Sequence, residues 1–137
     1  VLKRKADAAN GAKMFPRACP LCHTHSGQGH AVGPDLTGLR NQPAATLLMH
    51  IVVPNHEVQG AYTLYEVDTR DNQTFAGLLA ADTPEQITLK LPLGLTRTLA
   101  RKNIKTLRAS PKSLMPDQLE KTMTKQELAD LLKFLKR

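Results

Sequence analysis

Apolar positions along this 137-residue chain change their spacing twice, dividing it into a helical start, a strand-rich middle and a helical end. Asp7 followed by Ala8, Ala9, Ala12 and Met14 predicts a short helix over residues 6–15. Gly11 lies inside it, and a glycine that costs helix stability predicts close approach by another element. Pro43 to Val53 predicts a second helix, with Leu47, Leu48 and Ile51 on one face and Pro54 ending it. From Tyr62 to about Ala109 the period falls to two. Ile87, Leu89 and Leu91 alternate with Thr88 and Lys90; beyond a turn at Leu93-Gly94, Leu95, Arg97 and Leu99 alternate with Thr96 and Thr98. Tyr62–Arg70 and Thr74–Ala81 flank Asp71-Asn72-Gln73, a second hairpin signal, and Ile104–Leu107 supplies a short fifth strand. The period then lengthens again. Thr124-Lys125-Gln126-Glu127 is a capping box opening a last helix, whose stripe is Leu128, Leu131, Leu132 and Leu135. Phe134 lies beside that stripe, positioned to pack on the first helix near Gly11.

This pattern predicts an α+β chain: a mainly helical domain with a small antiparallel β meander or barrel inserted over residues 62–109. The whole chain, 1–137, is expected to form one domain, the insertion falling between the second helix and the stretch Ser113-Leu114-Met115-Pro116. No apolar run approaches the length of a membrane span.

The chemistry concentrates in Cys19-Pro20-Leu21-Cys22-His23, which holds both cysteines of the chain. A C-x-x-C-H box reads as a covalent haem attachment site. Two thiols at this spacing form thioethers to the two vinyl groups of one haem, and the adjacent His23 falls under the iron as an axial ligand. Scarce aromatics (4%) and the absence of Trp suit a core completed by a porphyrin. The strand-rich stretch contains no Cys, His or Met, so further ligands must come from the helical parts. Met115 is the leading candidate for the sixth position, since a thioether opposite a histidine is the ligand pair of electron-carrying cytochromes c. Met49, His50 and Met123 are other donors in the chain. After the box, Gly33-Pro34-Asp35-Leu36-Thr37-Gly38-Leu39 forms a turn-rich loop. A proline has no N–H but keeps its carbonyl, and the Pro34 carbonyl is an acceptor for the non-ligating nitrogen of His23. The competing reading is zinc held by Cys19, Cys22, His25 and His30. It leaves His23 idle and crowds four ligands into twelve residues. A thioredoxin-like site is poorer still, because no βαβ pattern surrounds the box.

The formal charge of +7 raises the question of nucleic acid. The cations are dispersed, however, with Lys3-Arg4-Lys5 and Arg101-Lys102 the only short clusters, and no nucleic-acid motif accompanies them. A basic surface suits steering toward an acidic redox partner. Covalent haem attachment belongs outside the cytoplasm, so a periplasmic or otherwise extracytoplasmic location is expected. Val1 running straight into polar residues is expected of a processed chain or of one domain of a longer protein.

Together these stretches resemble the class I cytochromes c, and most closely a bacterial family of haem-binding domains that carry a β-rich insertion. The resemblance spans Gly11–Phe15, the Cys19–His23 box, Gly33–Gly38, Leu47–Asn55, the β-rich stretch, Ser113–Pro116 and Leu128–Leu135. It implies one covalent haem c, with thioethers at Cys19 and Cys22 and axial ligation by His23 and Met115. It also implies the Pro34 carbonyl as acceptor for His23, the first helix packed across the last, and Arg40 as a candidate to pair a haem propionate. The activity implied is single-electron transfer between donor and acceptor proteins with acidic docking surfaces, with no enzymatic chemistry at an iron whose two axial positions are filled. A haem-based ligand sensor or weak peroxidase is the alternative if Met115 is displaceable, and the haem-free zinc module is the second. No catalytic triad, phosphate loop or carboxylate pair points to a different reaction. The family assigns no role to the β insertion.

Overall fold

In the computed structural model, which describes residues 1–137, helix α1 (Ala8–Met14) begins where the Asp7 carboxylate accepts the Ala9 N–H. It continues into a 3-10 turn at Phe15–Arg17. Helix α2 (Ala44–Val52) starts after Pro43, and α3 (Lys125–Leu135) after Thr124. The Thr124 hydroxyl accepts the Glu127 N–H at 3.1 Å while the Glu127 carboxylate accepts the Thr124 N–H at 2.7 Å. This reciprocal cap satisfies two backbone donors that a helix start leaves unpaired. All three helices lie inside their expected spans, the residues lost at the ends of the first two being caps and flanks.

Helix α1 crosses α3 at Gly11. A Cβ at that position would lie 2.0 Å from the Asp130 carbonyl oxygen and 2.8 Å from the Phe134 Cβ, so only glycine allows the approach. The Asp130 side chain is buried beside the crossing and accepts from the Asp7 N–H (2.8 Å), Asn10 Nδ2 (2.7 Å) and Gln126 Nε2 (2.9 Å). Three donors meet the desolvation cost of the carboxylate and hold its pKa below the ordinary aspartate value. Met14 and Phe15 join Leu47 and Ile51 of α2 and Leu128, Leu131, Leu132 and Leu135 of α3 in one apolar cluster.

Between the box and α2 the chain makes a small hairpin, β1 (Thr24–His25) with β2 (Gln28–Gly29), turning through Ser26 and Gly27 at positive φ. Strands of two residues are too short to register as a period, which is why the sequence predicts only a loop there.

The strand-rich stretch forms one antiparallel sheet of β3 (Leu64–Thr69), β4 (Thr74–Asp82), β5 (Gln86–Lys90), β6 (Thr96–Ala100) and β7 (Ile104–Ala109). Its spatial order is β6-β5-β4-β3-β7. Four strands form a meander, and the fifth returns to pair with β3 rather than with β6, so the sheet stays open with β6 and β7 as edges. The barrel alternative is thereby corrected. Val67, Ile87 and Leu89 are fully buried at the centre, with Tyr65, Phe75, Leu79 and Leu107 packed around them. Two expected strand ends are also corrected. Gly60–Tyr62 is a 3-10 turn, and Leu91 and Leu95, the latter with 59% of its surface exposed, lie beyond the ends of β5 and β6. There the Leu91 N–H donates to the Leu95 carbonyl at 2.8 Å and closes the hairpin around the 3-10 turn Pro92–Gly94. That turn rests against the Cys19–Leu21 turn, Gly94 faces the His30 ring, and Lys90 Nζ donates to the Ala31 carbonyl at 3.1 Å. The sheet therefore leans on the attachment-box side of the helical part.

Candidate haem site

The box folds as a 3-10 turn over Cys19–Leu21, closed by the Cys22 N–H (3.2 Å) and the His23 N–H (2.9 Å), both donated to the Cys19 carbonyl. Both thiols are free and partly buried. Burial pushes Cys19 up to about 11 and raises Cys22 as well, so both are neutral thiols at physiological pH.

His23 Nδ1 stands 2.7 Å from the Pro34 carbonyl oxygen. A carbonyl only accepts, so Nδ1 carries the proton and the Nε2 lone pair is left free. Burial lowers the pKa of His23 and so favours the neutral ring that can ligate a metal, although the bond to Pro34 acts in the opposite direction. The loop bearing Pro34 is fastened to the box by backbone bonds. The Val32 and Gly33 N–H groups donate to the Cys22 carbonyl at 3.0 and 2.6 Å, and the Leu36 N–H donates to the Thr24 carbonyl at 2.8 Å. The Asp35 carboxylate accepts the Thr37 N–H and hydroxyl, and the Thr37 oxygen accepts the Ser26 N–H. Gly33 lies flat against the His23 ring: a Cβ there would be 2.8 Å from His23 Cε1 and 3.1 Å from Nδ1.

Met115 approaches from the other end of the chain. It is partly buried and packs on the same apolar cluster that Cys19 touches, alongside Leu36, Leu39, Leu48 and Met123. One core thus supports both the box and the methionine loop. Arg40 lies exposed in the 3-10 turn Leu39–Asn41; its carbonyl accepts from Lys136 Nζ, and no carboxylate pairs with its guanidinium. Met49 is 46% exposed on α2.

The zinc arrangement is not assembled. His25 is buried against the rings of Phe15 and Phe134, at centroid distances of 5.6 and 4.6 Å, while His30 is exposed beside Gly94. No three His, Cys, Asp or Glu side chains stand together to hold a metal ion. The residues fit a haem instead: two unpaired thiols at vinyl spacing, an imidazole with its orientation fixed and Nε2 free, and a glycine cradle that leaves room for the ring.

The family model for cytochrome c matches residues 8–87, more than half of the chain. The chain belongs to the cytochrome c family. A cytochrome c domain carries covalently attached haem c and serves electron transfer, and this one places the attachment box between α1 and the small hairpin. The match runs from the start of α1 through α2 and into the sheet, ending at Ile87; Met115 and α3 lie beyond it. No helix of this cytochrome is long and apolar enough to cross a membrane.

Two residues of the site fall within stretches that carry the resemblance, yet their roles are not readable in the sequence. Gly33 looks like an ordinary turn glycine until the His23 ring is set against it. Asn55, just past α2, bonds to residues 58 and 62 positions away, which only the folded chain brings together.

Proposed function

We propose that this cytochrome carries single electrons between protein partners through one haem ligated by His23 and Met115. Cys19 and Cys22 are the thioether anchors in this reading. The observation that carries it is the bond between His23 and Pro34, because a ring so fixed has one free nitrogen and one direction in which to present it. When bound, the haem supplies a one-electron couple whose potential the axial ligands set. The chain's own residues do the rest. Pro34 fixes the imidazole tautomer and raises its basicity, and Gly33 lets the ring sit flat. Met115, seated against the apolar cluster, offers a soft thioether and excludes water from the sixth position. Arg40, its guanidinium unpaired, is the proposed partner of a haem propionate. The chain functions as one domain, with residues 62–109 as an insertion, in the periplasm or an equivalent extracytoplasmic compartment. Its partners are donor and acceptor proteins with acidic surfaces, drawn by the excess of cations.

A reductive titration and carbon monoxide binding test this reading together. The expected result is a single reversible one-electron wave and a ferrous form that ignores carbon monoxide without denaturant, while Met115→Ala keeps its haem and binds the gas readily. Rapid binding to the unsubstituted protein would favour a ligand sensor instead.

A further inference from the structure

The loop that bears Met115 has no regular structure of its own, and one amide side chain grips it on both sides of the methionine. Asn55 Oδ1 accepts the Ser113 N–H at 2.7 Å, and the Ser113 hydroxyl in turn accepts the Met115 N–H at 3.1 Å. On the far side, Asn55 Nδ2 donates to both Asp117 carboxylate oxygens, at 2.9 and 3.1 Å. The clamp thus closes two residues before and two residues after Met115. Its base is firm: Pro54 is buried, and Leu47 and Ile51 anchor α2 in the apolar cluster. The chemistry calls for an amide, since one end must accept from a backbone N–H while the other donates to a carboxylate. Asn55 itself is exposed, so the fold does not need it as core filling.

We infer that Asn55 is a positioning residue for Met115, keeping the methionine loop closed so that the thioether stays at the sixth position. This rests on the reading of Met115 as the axial ligand. An external ligand enters only when the loop opens, so its apparent affinity follows the open population. Loss of the clamp removes the Asn55 hydrogen bonds, two of them to the Asp117 carboxylate, and raises that population by roughly five- to thirtyfold.

The test is imidazole binding to the ferric holoprotein, read alongside the near-infrared band of methionine-ligated ferric haem. Asn55→Ala is expected to bind imidazole roughly five- to thirtyfold more tightly than the unsubstituted protein. Asn55→Asp keeps the acceptor for Ser113 but opposes two carboxylates, and is expected to loosen as well. The exchange Asn55→Asp with Asp117→Asn restores a donor–acceptor pair, so affinity and band are expected to return. A merely structural role would not show this rescue. Met115→Ala is the reference, with no band and the tightest binding. Asn55→Ala binding imidazole no more tightly than the unsubstituted protein, or an exchange that fails to rescue, overturns the clamp while Met115 stands. A Met115→Ala protein that keeps the band overturns the ligand assignment and the clamp with it.

Discussion

At the scale of single residues, the box is the most legible feature because its chemistry is local. Two thiols and an imidazole within five positions suit one prosthetic group whatever the fold around them. Gly33 and Asn55 are the opposite case. Gly33 acts through the turn that folds its loop back on His23, and Asn55 through residues far along the chain, so neither composition nor period marks their roles. Gly33 carries a sharp prediction. Adding a Cβ 2.8 Å from the His23 ring must displace the ring and weaken its bond to Pro34. That bond raises imidazole basicity and favours ferric iron, so its loss raises the reduction potential. Gly33→Ala is expected to retain covalent haem and shift the potential upward by roughly 40 mV for each kcal/mol of hydrogen bond lost. Potentiometric titration of the two proteins side by side measures it, and an unchanged potential would deny the bond its tuning role.

At the scale of elements, the helices are legible because each carries its own stop signals and one apolar stripe. Thr124 and Glu127 cap α3 as their spacing predicts, and Leu128, Leu131, Leu132 and Leu135 are all buried. The β1–β2 hairpin is not legible, since two-residue strands have no period. The neighbour of β7 is hidden too, because alternation says that a strand exists but not which edge it joins. The α1–α3 crossing gives two tests. Gly11→Ala gains helix propensity yet drives a methyl into the Asp130 carbonyl, so a net loss of about 1–3 kcal/mol is expected in denaturant melts. Asp130 contributes through its charged form. Its folded pKa is depressed by Asn10, the Asp7 N–H and Gln126, so the contribution is complete above the ordinary aspartate value of about 3.9. It is lost as pH falls below that value through the folded pKa. Acid titration of stability is expected to slope less steeply below about pH 4 in Asp130→Asn than in the unsubstituted protein.

At the scale of the whole molecule, two apolar clusters divide the labour. One gathers α1, α2 and α3 around the box and Met115; the other, around Val67, Ile87 and Leu89, belongs to the sheet alone. The change of period between residues 62 and 109 makes that division visible in the sequence, whereas the resting of the Pro92–Gly94 turn against the box is a tertiary contact with no local signature. A cavity in the sheet should therefore leave the haem chemistry intact. Ile87→Ala is expected to cost about 2–5 kcal/mol in the sheet, seen as faster amide exchange from β3 to β7, with the visible spectrum and potential unchanged. A spectral change would show the two clusters to be coupled. The ligand pair is the centre of the account, and the near-infrared absorption of the ferric protein tests it most directly. A weak methionine–iron charge-transfer band that vanishes in Met115→Ala is the predicted result. A covalently attached haem lacking that band, or keeping it without Met115, would contradict it.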